Sequence, residues 1–157
     1  MSAQSEPTIF DKIIAGEIPS YIVWQDEKYV AFLTPFAGTP GLTLVIPRQN
    51  PGDYVFDLGD EDIAGLMRAT KKVAKLLEEA LGVKRVALVF EGTGVAHVHA
   101  KLYPLHGALA SQTNVWSSHQ EFYPEYVGYI STVEGPKMAD SELAKIQKKI
   151  LEADHEN

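Results

Sequence analysis

The 157-residue chain contains no cysteine, which excludes disulfides, thiolate metal ligands and thiol nucleophiles together. It has no apolar run near the ~18 residues that a bilayer-spanning helix needs, so no membrane partner is expected. Its opening, MSAQSEPT, has neither the basic nor the apolar region of a secretory signal, and a cytoplasmic location is the expectation. Positive charge is scarce: 14 Lys and Arg face 21 Asp and Glu, for a formal net charge of −7. A broad grip on the phosphate backbone normally uses clustered basic side chains, so no nucleic-acid partner is expected. A small anion remains open, because a few backbone N–H groups and one lysine can hold a phosphate against an unfavourable global charge.

What is present describes an ordinary globular domain, with 45% hydrophobic and 22% charged residues and a length suited to one core. Ile9, Phe10, Ile13 and Ile14 fall on one face of a short helix that Gly16 and Pro19 end. Segments 21–24 and 28–33, rich in aromatic and β-branched residues, read as strands joined by a tight Gln25–Asp26–Glu27 turn. A loop dense in Gly and Pro leads to a strand over 42–47. Asp60 is the expected N-cap of the longest helix, in which Ile63, Leu66, Met67, Thr70, Val73, Ala74, Leu77 and Leu81 recur at three and four and Gly82 makes the stop. Two further strands are expected over 84–90 and 97–104. Residues 111–137 are aromatic and irregular, with Phe122, Tyr123, Tyr126 and Tyr129, and a final helix from about 140 puts Leu143, Ile146 and Ile150 on one face. The order favours α+β with an antiparallel sheet over a doubly wound parallel one. The expected organisation is a flexible stretch at 1–7, a domain over 8–110, and an extension over 111–157 packed on the same domain.

The chemistry concentrates in VAHVHAKLYPLHG, residues 95–107. On a strand, alternate residues share a face, so His97, His99 and Lys101 project one way and the apolar Val98, Ala100 and Leu102 the other. Two such histidines can be a metal site, a solvated face or hydrogen-bonded core residues. A zinc site needs a third protein ligand; the next position is a lysine, and His106 reaches only if the chain bends back, so no metal is expected. A loop with Gly92 and Gly94 lies just upstream, where free backbone N–H groups can face an anion, and a neutral imidazole is a competent nucleophile toward phosphorus.

The ordered run of TIFDKIIAGEIPS, a strand pair, GTPGLTLVIPR, a long helix, VALVFEGTG and HVHAKLYP resembles the histidine triad family of nucleotide hydrolases and transferases, over about residues 8–105. The resemblance implies a five-stranded antiparallel sheet with two main helices, a homodimer in which two sheets join, and no cofactor. It implies attack on the α-phosphate of a nucleotide by the middle histidine, here His99, through a covalent nucleotidyl-histidine intermediate. His97 then supports the geometry, the backbone of Thr93, Gly94 and Val95 faces the phosphate, and Ile9, Phe10, Ile13 and Phe32 form the base slot with Pro35 at its edge. Read as residues alone, those four apolar side chains are equally well plain core.

The chain departs from the family pattern at several positions. Lys101 stands for the third histidine, Thr34 for the acid that holds the ribose hydroxyls, and Leu42, Asn50, Phe90 and Gly94 for a histidine or other polar residues. Lys101 is expected to meet a phosphate oxygen or, desolvated beside His97, to protonate a leaving group; its alternative is a side chain extended into solvent. Arg48 and His106 are further candidates to frame the anion. Two other functions stay open: a nucleotide-binding module with little turnover, and an interaction protein using the aromatic stretch QEFYPEYVGY.

Overall fold

The computed structural model describes residues 6–110, 116–132 and 135–153, which fall into two compact units, 1–113 and 114–157. Residues 1–5 of the segment expected to be flexible, 111–115 at the start of the expected extension, and the Ile150 side chain lie outside the described residues.

The first unit opens with helix α1 (Ile9–Ile14), which starts where the sequence places a reciprocal cap. The Thr8 hydroxyl oxygen accepts from the Asp11 amide at 3.2 Å, and the Asp11 carboxylate accepts from the Thr8 amide at 2.7 Å. Strands β1 (Tyr21–Gln25) and β2 (Tyr29–Leu33) form the expected hairpin. Its turn is made by Asp26, whose carboxylate accepts from the amides of Lys28 at 2.8 Å and Tyr29 at 2.7 Å. Strand β3 (Thr43–Pro47) follows, then α2 (Asp60–Leu81) and the β4 (Val86–Glu91) and β5 (His99–Pro104) hairpin.

Strands β1 to β4 differ from the expected bounds by one or two residues at an end, and two further boundaries differ in ways that matter more. Gly59, not Asp60, caps α2, and Asp60 joins Glu61 and Asp62 in the first turn, where their charge complements the helix dipole. The stop at Gly82, in the left-handed region at φ 66°, is as expected. Strand β5 begins at His99, so His97 and Val98 precede the ladder, the Val98 amide donating to the Gly52 carbonyl at 2.8 Å.

All pairings are antiparallel, in the order β1-β2-β3-β5-β4. Alternation then divides the core. On one face Ala31, Val45, Ala100 and Leu102 meet Leu66, Ala69, Val73 and Leu77 of α2. On the other, Val30, Phe32, Leu44 and Ile46 meet Phe10 of α1 and Leu42. His99 and Lys101 share this second face, because Lys101 pairs with Leu44 across the ladder. The second unit holds irregular chain and helix α3 (Asp140–Ala153), whose Leu143 and Ile146 are exposed. No described helix is long and apolar enough to cross a membrane.

Candidate active site

On the α1 face a cavity of about 600 Å³ opens above the sheet. Ile9, Phe10 and Ile13 of α1 and Phe32 of β2 form apolar wall with Leu42, Leu44 and Val95, and Thr34, Thr93, Gly94, His99 and Lys101 also line it. Two depressions of about 390 and 620 Å³ elsewhere are lined mainly by charged and polar side chains and contain no histidine, so the cleft at His99 combines an apolar slot with a nucleophile.

The loop between β4 and β5 needs its glycines. A side chain at Gly92 would strike the Asp53 carbonyl, its Cβ falling 1.5 Å from the oxygen, so only glycine lets the two backbones meet. Gly94 adopts φ 80°, which a side chain disfavours, and presents bare backbone to the cavity. Asn50 staples this loop: its side-chain amide donates to the Ala96 carbonyl at 2.8 Å, and its oxygen accepts from the Gly52 amide at 3.0 Å.

His99 is oriented by a single bond. Its Nδ1–H donates to the His97 carbonyl at 2.8 Å; a carbonyl only accepts, so the proton sits on Nδ1 and Nε2 keeps its lone pair. His97 is fully buried and does not line the cavity, although its ring lies on the α1 side of the sheet with that of His99, both edge-on to Phe10. Its Nε2–H donates to the Pro47 carbonyl at 2.8 Å, while Nδ1 is buried without a hydrogen bond, 3.8 Å from an Asp11 oxygen. The Phe10 ring meets His97, His99 and Phe32 edge-on, with centroids 5.7, 5.2 and 5.6 Å away.

Burial holds both imidazoles below their ordinary 6.5, against the raising effect of the carbonyl bonds and of Asp11 or Glu91; Lys101 lowers His99 further. Asp11 also lies below its usual value: burial raises it, but the bonds from Thr8 outweigh that effect. The histidine shifts have a consequence for stability. In the unfolded chain these imidazoles take up protons near 6.5, whereas folded they resist to lower pH, so the unfolded state binds more protons in the window below 6.5. Unfolding free energy measured in urea is therefore expected to be level above about pH 7 and to fall as pH descends below 6.5. A rise on acidification through that window would contradict the assignment.

Lys101 does not extend freely into solvent: it lines the cavity, its ammonium lies 2.5 Å from a Glu91 oxygen, and that oxygen is 3.7 Å from His99 Nε2. Glu91 was not among the residues the sequence singled out. The signal available for it was register, since a hairpin closing over the 92–98 loop sets Glu91 opposite His99. Arg48 and His106 are not at the site. Arg48 clasps the first hairpin, donating to the Asp26 carbonyl at 2.7 Å and the Gln25 side-chain oxygen at 2.6 Å, and His106 bonds the Pro40 carbonyl at 2.8 Å. Thr34 lines the cavity with its hydroxyl oxygen accepting from the Phe36 amide at 3.3 Å. Among the described residues no three His, Asp or Glu side chains gather to hold a metal ion.

The chain is similar to known proteins in sequence and in fold. The HIT domain model matches residues 15–107. The protein hit of Bacillus subtilis is 34% identical over 143 residues, covering 87% of this chain and 98% of its own. The adenylylsulfatase HINT1 of Arabidopsis thaliana is 36% identical over 104 residues, covering 61% of this chain and 69% of its own. Among solved structures, a HIT family member from Bacillus subtilis superposes with a TM-score of 0.63 at 28% identity, covering 94% of this chain and 96% of that one.

Proposed function

The chain belongs to the HIT domain family, and from that premise we propose that it is a hydrolase or nucleotidyl transferase acting at the α-phosphate of a nucleotide through a nucleotidyl-His99 intermediate. The observation that carries the proposal is the placement of His99 Nε2, a lone pair held open in an apolar cavity beside the glycine-bearing loop. An apolar slot buries a base, and oriented backbone dipoles with a cation handle the charged end.

The reaction divides into two displacements. The Nε2 lone pair forms a bond to the α-phosphorus while the bond to the leaving group breaks, its electrons leaving with that group, which takes up a proton. Water or another acceptor then attacks phosphorus, loses a proton, and returns the P–N electrons to Nε2. His97 supports the nucleophile through its main-chain carbonyl, which fixes the tautomer. Thr34 offers the sugar one uncharged hydroxyl. A cytoplasmic enzyme working on soluble nucleotides is part of the same proposal.

Steady-state assays with adenosine 5′-phosphoramidate and adenylyl sulfate test the activity; the latter is suggested by the relative named an adenylylsulfatase. Release of AMP from either substrate supports the reading. Tight AMP binding with no release from either would make the protein a nucleotide-binding module.

We also propose a homodimer. Strand β4 ends the sheet among the described residues, and Val86, Ala87, Leu88, Val89 and Phe90 make it a long apolar edge, a template for a second β4. Light scattering should give twice the 17.3 kDa chain mass; a single-chain mass at assay concentration would contradict the pairing.

A further inference from the structure

Glu91 ends β4 directly opposite His99, while Lys101 sits one pair further along β5, opposite Val89. Glu91 and Lys101 are therefore diagonal neighbours on one face, a separation that two long side chains bridge. Their charged ends meet at 2.5 Å, and the same carboxylate oxygen lies 3.7 Å from His99 Nε2. The second distance is too long for a hydrogen bond, so the carboxylate leaves the nucleophilic lone pair unengaged. The side chains of Glu91 and Lys101 are only 16% and 28% exposed, and that of His99 4%, so the cluster is largely screened from water.

We infer that Glu91 is a positioning residue of this site: its carboxylate spans from β4 to β5 and holds the Lys101 ammonium beside His99, so that the ammonium protonates the leaving group where a third imidazole is missing. The inference rests on the proposed reaction. A lysine has a flexible four-carbon stem, and an unrestrained ammonium spends its time in solvent rather than at the departing atom. Proton balance closes within the cycle. Lys101 gives a proton to the leaving group as the bond to phosphorus breaks, and the neutral amine takes one back from the attacking water as the P–N bond breaks. The charged and titratable groups near His99 are Glu91 from β4, Lys101 from β5 and the buried His97, with Asp11 of α1 behind His97.

The test compares Glu91→Gln, Lys101→Met and the double variant on two substrates: adenosine 5′-phosphoramidate, whose amine must be protonated, and the 4-nitrophenyl ester of AMP, whose leaving group departs as an anion. Glu91→Gln should slow the phosphoramidate by about tenfold or more, within the range of general acid catalysis, with the nitrophenyl ester much less affected. Adding Glu91→Gln to Lys101→Met should change the rate by less than about threefold, since the carboxylate works through the ammonium. Equal slowing of both substrates, an undiminished effect in the Lys101→Met background, or no slowing would overturn the inference. If the wild type turns over neither substrate, the functional proposal fails separately, and NMR titration of the His99 ring still reads the cluster. Its midpoint should fall in Glu91→Gln and rise in Lys101→Met, because the carboxylate raises and the ammonium lowers it. A midpoint unmoved by either substitution would show that the three groups do not act on one another.

Discussion

His99→Ala is expected to abolish turnover, lowering kcat by about 10⁴-fold or more, the scale seen when a covalent nucleophile is removed from a site whose members act together. The size follows from the absence of a substitute. His97 is sealed behind Phe10, with one nitrogen committed to the Pro47 carbonyl and the other without access to the cavity. Lys101 is engaged by Glu91. Among the described residues that line the cavity, His99 is the one histidine. The substitution removes one bond to a main-chain carbonyl and a nearly buried ring packed edge-on against Phe10, together worth about 2–3 kcal/mol. Loss of activity in a folded protein whose melting temperature falls by about 5–10 °C is therefore the expected pair of results, and AMP binding should persist through the apolar slot.

Phe10→Ala is expected to cost about 3 kcal/mol in stability and to weaken nucleotide binding as well. Phe10 is the buried residue of α1 and touches Phe32, His97 and His99, so its ring joins the helix to the sheet and to both imidazoles. Truncation leaves a void that opens into the cavity and admits water to the back of the His99 ring. For a domain of this size that loss lowers the melting temperature by about 10 °C. The same void removes one wall of the slot, and KM should rise about tenfold, the equivalent of about 1.4 kcal/mol of lost contact. Ile9, half exposed at the rim, is the control: Ile9→Ala should leave the melting temperature nearly unchanged. Denaturation by urea and nucleotide titration of the two variants check both statements.

The fold was readable because its signals are local. The spacing of Leu66, Thr70, Val73 and Leu77 specifies a helix with one buried face, while the aromatic and β-branched content of Tyr29–Leu33 and the alternation in His99–Pro104 specify strands. The four apolar residues that read equally as core or base slot line one cavity, and two of them are core as well. Phe10 and Phe32 are buried in the second core cluster and still form cavity wall, with Ile13 packed against that cluster and Ile9 at the rim. What stayed hidden depends on register and on packing. His97 shares the alternating string and the Phe10 side with His99, and packing separates them: Phe10, Asp11 and the Pro47 carbonyl enclose the His97 ring, so it does not line the cavity. Glu91 is an unremarked acid until pairing sets it opposite His99 and within reach of Lys101. Arg48 read as a candidate anion ligand because a single charged residue carries no record of its partner, here the Asp26 carbonyl across the first hairpin.

The central claim is that His99 carries the nucleotide during turnover. Wild-type protein mixed with adenosine 5′-phosphoramidate, quenched within a single turnover and weighed intact, should show a mass increase of one adenylyl group that maps to the peptide holding His99, and His99→Ala should show none. Turnover with no adduct on that peptide, or turnover that survives His99→Ala, would contradict it.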